Sequence, residues 1–266
     1  MDLDLKGKVA VVTGGSRGIG KAIARALARE GADVALIARN LEDAEKTAVE
    51  IAKESGRTVR AYRADTGDDG QVKDVFARIV ADFNRLDILV NAAAQPGGQA
   101  PPPKLAGITD ENFWSDMNVK VMGYIRCARE AAPHMAKRGW GRIINISGLA
   151  ARSTGSIVGS IRNIGVAALT KNLADELGPL GINVTCVHPG MTRTEKTPGV
   201  LKRRAEATGL TPEEVERRFA DGNTIKHLVT AEEVADVVAF LASPKSIGIT
   251  GDAIAVGGGM PGAIHY

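Results

Sequence analysis

The chain has 266 residues, 44% hydrophobic and 24% charged, with 34 basic against 31 acidic side chains and a formal net charge of +3. That near balance, with the signs interspersed, gives no nucleic-acid footprint, and no apolar run approaches the length of a membrane span. Aromatics are only 4%, so a core has to be built from Val, Ile, Leu and Ala, in one large α/β domain or two small ones. Cys127 and Cys186 lie far apart without metal-ligand spacing, which fits buried thiols in a reducing compartment. The start, Met1-Asp2-Leu3-Asp4, has neither a basic segment nor an apolar leader core. A cytoplasmic protein is expected.

The first apolar run is Val9-Ala10-Val11-Val12. The glycine-rich stretch Thr13-Gly14-Gly15-Ser16-Arg17-Gly18-Ile19-Gly20 follows, and then a periodic segment carrying Ile23, Ala26 and Leu27. This reads as a buried strand, a glycine turn and a helix. Glycines let the backbone turn sharply and approach a pyrophosphate, and the free N–H groups opening the helix face the anion.

Further strands are expected at Asp33–Ala38, Val59–Arg63, Asp87–Asn91, Arg142–Ile146, Ile182–Val187 and Asp252–Val256. Helices are expected from Leu41 to about Lys53, Gln71 to Phe83, Glu111 to Lys137 (one long helix), Ile157 to Leu177 and Ala231 to Ala242. The segment from Thr194 to Leu228 is charged and helix-prone, and Gln95 to Gly107 is a loop rich in proline and glycine. Such a loop more naturally borders a site at the strand ends than links two domains. Alternating short strands and helices predict a parallel sheet with helices on both faces. With no linker or composition shift, a single domain over 1–266 is expected.

By its motifs the chain resembles the short-chain dehydrogenase/reductases, Rossmann-fold enzymes that use NAD or NADP. The resemblance rests on Thr13 to Gly20, Asp65, Asp87-Ile88-Leu89-Val90-Asn91-Ala92-Ala93, Asn118-Val119, Ile144-Asn145-Ile146-Ser147, and Pro189-Gly190 with Thr192 and Thr194. It implies a doubly wound seven-stranded parallel sheet in the order 3-2-1-4-5-6-7, a homodimer or homotetramer, and a substrate lid at about 191–229. It implies that Gly14, Ser16, Arg17, Gly18, Ile19 and Gly20 surround the cofactor phosphates and that Asp65 meets the adenine. Asn91 would lie beside the adenosine ribose, and Pro189, Gly190 and Thr192 would flank the nicotinamide. Each has a plainer alternative: a cap for Asp65, a turn for Asn91, a bend for Pro189-Gly190.

The choice of dinucleotide follows from charge. NAD readers place an acid after the second strand to bond the ribose 2′-OH. Here Ala38 and then Arg39 stand at that place, with Arg17 in the glycine loop. Two guanidinium groups suit a 2′-phosphate, so NADP (NADPH) is expected.

The catalytic pattern breaks. The family's usual Tyr, and Lys four residues later on one helix face, fall on Gly159 and Asn163. Tyr62, Tyr124 and Tyr266 lie elsewhere, and Lys171 is two turns too far along. The family's Ser-Ser reads Ser147-Gly148; Ser147 can stand in only from the opposite side of the strand. Asn118 matches the family's helix asparagine, as relay residue or as a structural bond at a helix irregularity. Asn118, Ser147 and Asn163 are therefore the catalytic candidates. Arg162 is either a donor to the site or a salt bridge, and His188 either titrates at the site or packs at a strand end. The histidines form no metal set.

A missing general acid forfeits about 10²–10⁴ in rate, so the expected function is an NADP(H)-dependent oxidoreductase with altered proton handling, acting on a small molecule such as an iminium or an activated enone. The alternatives are a non-redox NADP-binding sensor or structural protein, and a hydrolase or lyase using Ser147 or His188.

Overall fold

In the computed structural model, residues 1–94 and 102–262 are described. The expected Gln95–Gly107 loop thus lies partly outside the described residues, as does Tyr266.

Seven strands form one parallel sheet in the order β3-β2-β1-β4-β5-β6-β7. They are β1 (Val9–Thr13), β2 (Asp33–Ala38), β3 (Val59–Arg63), β4 (Ile88–Asn91), β5 (Gly141–Ile146), β6 (Ile182–Pro189) and β7 (Ala253–Val256). Every residue of β1, β4, β5 and β6 is buried, because helices cover both faces and the run has no solvent side on which to alternate. The fold is the doubly wound Rossmann architecture expected from the sequence.

The covering helices are α1 (Gly18–Arg29), α2 (Leu41–Ser55), α3 (Asp69–Phe83), α4 (Asp110–Met117), α5 (Gly123–Ala136), α6 (Ile157–Leu177), α7 (Thr197–Thr208), α8 (Pro212–Asp221) and α9 (Ala231–Ala242). Their starts are set locally: Asn40, Asp68 and Ser156 each accept a backbone N–H of the first turn, and Thr230 with Glu233 closes a reciprocal cap on α9. Ile23 and Leu27 of α1 pack with Val234 and Val238 of α9 on one face of the sheet. Phe76 and Ile79 of α3 pack with Cys127 and Ala131 of α5 on the other. Among the described residues, no helix is long and apolar enough to cross a membrane.

The single long helix expected from Glu111 to Lys137 is broken. A π turn spans Asn118–Met122 between α4 and α5. It lies against the turn after β3: Asn118 Nδ2 donates to the Gly67 carbonyl at 3.0 Å, and Arg126 donates to the carbonyls of Thr66 and Asn118 at 3.2 and 3.3 Å. Gly123 permits the approach, since a Cβ there would stand 3.1 Å from Thr66. The charged segment after β6 resolves into α7 and α8, with Leu201, Ala205 and Val215 forming a small core of their own.

Candidate active site

At the carboxyl end of β1 the glycine loop turns tightly enough that a Cβ on Gly20 would stand 2.3 Å from the Gly14 carbonyl oxygen. Gly14 itself has φ +67°, and a Cβ there would meet the backbone of Ala92 and Ala93 at 3.0 Å. Thr13 Oγ1 accepts from the backbone N–H groups of Ala92 and Ala93 at 3.0 and 3.1 Å, tying the loop after β4 to β1. Thr47 of α2 donates to the Ser16 carbonyl at 3.0 Å, and Ile19 packs against the core.

The Gly18 N–H, the first of α1, already points at an anion. The Glu195 carboxylate, from the segment after β6, accepts it at 3.0 and 3.2 Å. A helix N-terminus favours a carboxylate and a phosphate alike. Arg17 caps α1 and Arg39 follows β2; both are exposed, and neither forms a salt bridge among the described residues. Glycine cradle, helix N-terminus and two uncommitted guanidiniums together fit a phosphorylated dinucleotide.

The other expected cofactor contacts occupy the same strand ends in more constrained states. Asp65 Oδ1 accepts from Gly67 N at 2.9 Å, and the cap of α3 is Asp68. Asn91 is fully buried: its Nδ2 donates to Asn145 Oδ1 at 2.9 Å, Asn145 Nδ2 donates to Thr170 Oγ1 at 3.0 Å, and Asn91 Oδ1 has no partner among the described residues. Thr192 Oγ1 donates to the Gly190 carbonyl at 3.1 Å. Pro189 ends β6, and Gly190 lies so close to Gly257 that a Cβ on it would meet Gly257 Cα at 3.0 Å.

The catalytic candidates are not brought together as a set. Asn118 spends its carboxamide on Gly67, away from Ser147 and Asn163; it serves the bend of the helix. Ser147 is nearly buried on the α6 side of the sheet, where its hydroxyl donates to the Asn163 backbone carbonyl at 3.0 Å. Asn163 is 2% exposed. Its Oδ1 accepts from Lys120 Nζ at 3.0 Å, and the same Nζ donates to the Ser147 carbonyl at 2.9 Å. Lys120, in the π turn, is 4% exposed, and burial first, then the Arg162 charge, lowers its pKa to about 7. Sequence reasoning missed this lysine. The one available signal was the polar residue two places after Asn118, on what reads as an ordinary helix.

Gly159 is buried, and its N–H is accepted by Ser156 Oγ at 3.0 Å; a Cβ there would press that oxygen at 2.7 Å. Arg162 pairs with Asp116 at 2.6 and 2.7 Å, bracing α6 on α4. His188 is packed at the end of β6, its Nδ1 3.4 Å from Gly148 N and 3.8 Å from Cys186 Sγ, and burial draws its pKa down to about 4. Tyr124 donates its hydroxyl to the Ile146 carbonyl at 2.9 Å and is 1% exposed. Among the described residues no cluster of His, Cys, Asp or Glu is arranged for a metal.

The family model described as enoyl-(acyl carrier protein) reductase matches residues 14–261. The short-chain reductase protein NovJ of Streptomyces niveus is 34% identical over 254 residues, covering 95% of this chain and 94% of that protein. The chain belongs to the short-chain dehydrogenase/reductases. Other members include the NADPH-dependent reductase BacG of Bacillus subtilis, 31% identical over 95% of this chain and 97% of that one. The fold of this short-chain dehydrogenase/reductase matches L-sorbose reductase from Gluconobacter frateurii, solved with NADPH and L-sorbose, with a TM-score of 0.93 at 30% identity, covering 99% and 100% of the two chains.

Proposed function

We propose that this short-chain dehydrogenase/reductase is an NADPH-dependent oxidoreductase with an atypical proton-handling site, acting on a small molecule. The observation that carries the cofactor assignment is the Gly18 N–H already holding a carboxylate where a pyrophosphate would lie, with Arg17 and Arg39 at the same strand ends. Arg17 and Arg39 would hold a 2′-phosphate by charge-assisted bonds. Asp65, Asn91, Pro189, Gly190 and Thr192 would frame the rest of the cofactor's path, and residues 191–229 would close over it as a lid. Bound NADPH supplies hydride. The protein's share is to hold the dinucleotide and direct donors at the reacting centre. Relatives named for NADPH-dependent reduction support this reading.

The site is atypical in that Gly159 and Asn163 replace the family's Tyr and Lys. No tyrosine among the described residues supplies the phenol: Tyr124 is committed to Ile146, and Tyr62 donates to Asp82 at 2.6 Å. That observation favours a second reading, a non-redox NADP-binding protein. Hydrolysis or elimination at Ser147 lacks support, since its hydroxyl is donated to a helix carbonyl rather than to a base. Exposed Trp114, Met122, Ile157, Ile161 and Ile164 suit a homo-oligomer. Two free, buried cysteines suit the cytoplasm.

Fluorescence titration with NADPH and NADH, followed by NADPH oxidation across a ketone, imine and enone panel, tests both readings. Tight NADPH binding with turnover supports the first. Binding without turnover on any substrate moves the protein to the second, and absence of binding defeats both.

A further inference from the structure

The molecule carries a buried lysine with no carboxylate bonded to it among the described residues. Lys120 Nζ makes two hydrogen bonds, both to neutral oxygens, at the ends of β5 and within α6. The charged or titratable groups that act on it or feel its charge are Asp116 on α4, Arg162 on α6, and Cys186 and His188 on β6. Asp116 is engaged by Arg162, so the lysine has no dedicated counter-ion among the described residues. Burying such an amine costs stability and is retained only where something else compensates.

What the amine does is fix the orientation of one carboxamide. An ammonium is donor-only, so Asn163 must turn Oδ1 toward Lys120 and Nδ2 away from it. Nδ2 then lies on the Gly148 side, where a Cβ on Gly148 would stand 3.3 Å from it. It has no acceptor among the described residues. Gly148, which has no side chain to cover Nδ2, is the side from which an acceptor would have to come.

We infer that Lys120 and Asn163 form one unit, an ammonium-backed carboxamide whose Nδ2 donates to a neutral carbonyl oxygen of the substrate, with Lys120 as the positioning residue. The inference rests on the redox reading above and narrows its substrate class. A cationic iminium would face a donor backed by positive charge and is disfavoured. An enone suits the unit: hydride adds at the β-carbon, the π pair moves onto the carbonyl oxygen, and Nδ2–H holds the resulting enolate. Water then protonates the α-carbon, with NADPH oxidised to NADP⁺. Deprotonation of Lys120 removes the charge behind the carboxamide and leaves an amine that can accept as well as donate, so Asn163 is no longer held in one orientation and the rate falls as pH rises through about 7.

The test uses the full chain with Lys120→Met, Lys120→Arg and Asn163→Asp. The ¹³Cε signals of labelled lysine are followed against pH, NADPH affinity is taken by fluorescence, and NADPH oxidation is measured with 2-cyclohexen-1-one and with 2-methyl-1-pyrroline. The expected results are a lysine signal titrating near 7, absent in Lys120→Met and moved upward in Asn163→Asp, which supplies a carboxylate. Enone kcat falls on the order of 10²-fold in Lys120→Met, the scale of one lost oxyanion donor, with NADPH affinity held and partial rescue by Lys120→Arg. A lysine titrating at the ordinary value, unchanged kcat in Lys120→Met, or preference for the pyrroline overturns the inference. If the wild type oxidises NADPH with neither probe, the redox reading fails instead, and the NMR titrations still decide whether Lys120 and Asn163 are coupled.

Discussion

On the proposed placement of the cofactor, Glu195 should compete with it for the start of α1, and its removal should tighten NADPH binding. Its carboxylate accepts the Gly18 N–H at 3.0 and 3.2 Å from an exposed position. An exposed anion at a helix N-terminus is worth about 0.3–1 kcal/mol. A dinucleotide whose pyrophosphate takes that N–H must displace the carboxylate and then lie beside its charge. Glu195→Gln keeps the shape and removes the charge, so NADPH should bind about twofold to fivefold tighter, given that about 1.4 kcal/mol is tenfold. The gain should shrink in roughly 1 M salt, where the Debye length is about 3 Å. Titration of NADPH fluorescence at low and high salt reads both effects. Equal or weaker binding by Glu195→Gln at low salt would refute the competition, and a gain untouched by salt would show it is not electrostatic.

Three further substitutions probe the frame. Arg39→Ala should weaken NADPH roughly tenfold and leave NADH within about twofold, since a charge-assisted bond is worth about 1.5–3 kcal/mol and exposure puts this one at the low end; parallel titrations check it. His188 is 2% exposed and its pKa is drawn down to about 4 by burial, with Arg152 and Lys120 adding to it. Below about 6.5 the unfolded chain binds a proton that the folded one refuses, so stability is full above that pH and is lost as pH falls toward 4, by about 1.4 kcal/mol per unit and roughly 3 in all. Urea melts of His188→Gln should show a flatter acid slope, and an unchanged slope would count against the buried neutral ring. Gly257→Ala puts a Cβ 2.4 Å from Leu149 Cδ1 and 3.1 Å from Gly190 Cα, so it should cost about 1–3 kcal/mol in thermal melts.

The alternation of short apolar runs with helical periods already determined the sheet and its two helical faces, because strands buried on both sides have to be continuously apolar. The glycine turn was legible for a similar reason. It is a local device: Gly14 and Gly20 meet within seven residues, and the N–H of Gly18 faces whatever anion lies at that strand end. The order of the strands came with the resemblance, not from the residues themselves.

The Lys120–Asn163 unit was decided by tertiary structure alone. Asn118 and Lys120 are two positions apart, about 200° around a helix, so only one of them can face the sheet. The sequence by itself points to the asparagine. The π turn against the Asp65–Gly67 turn gives that asparagine to Gly67 and sends Lys120 inward, where it meets a residue 43 positions away. Period and composition carry no information on such a pairing. It exists because the packing of α4, α5 and α6 on β5 leaves an amine nowhere else to donate.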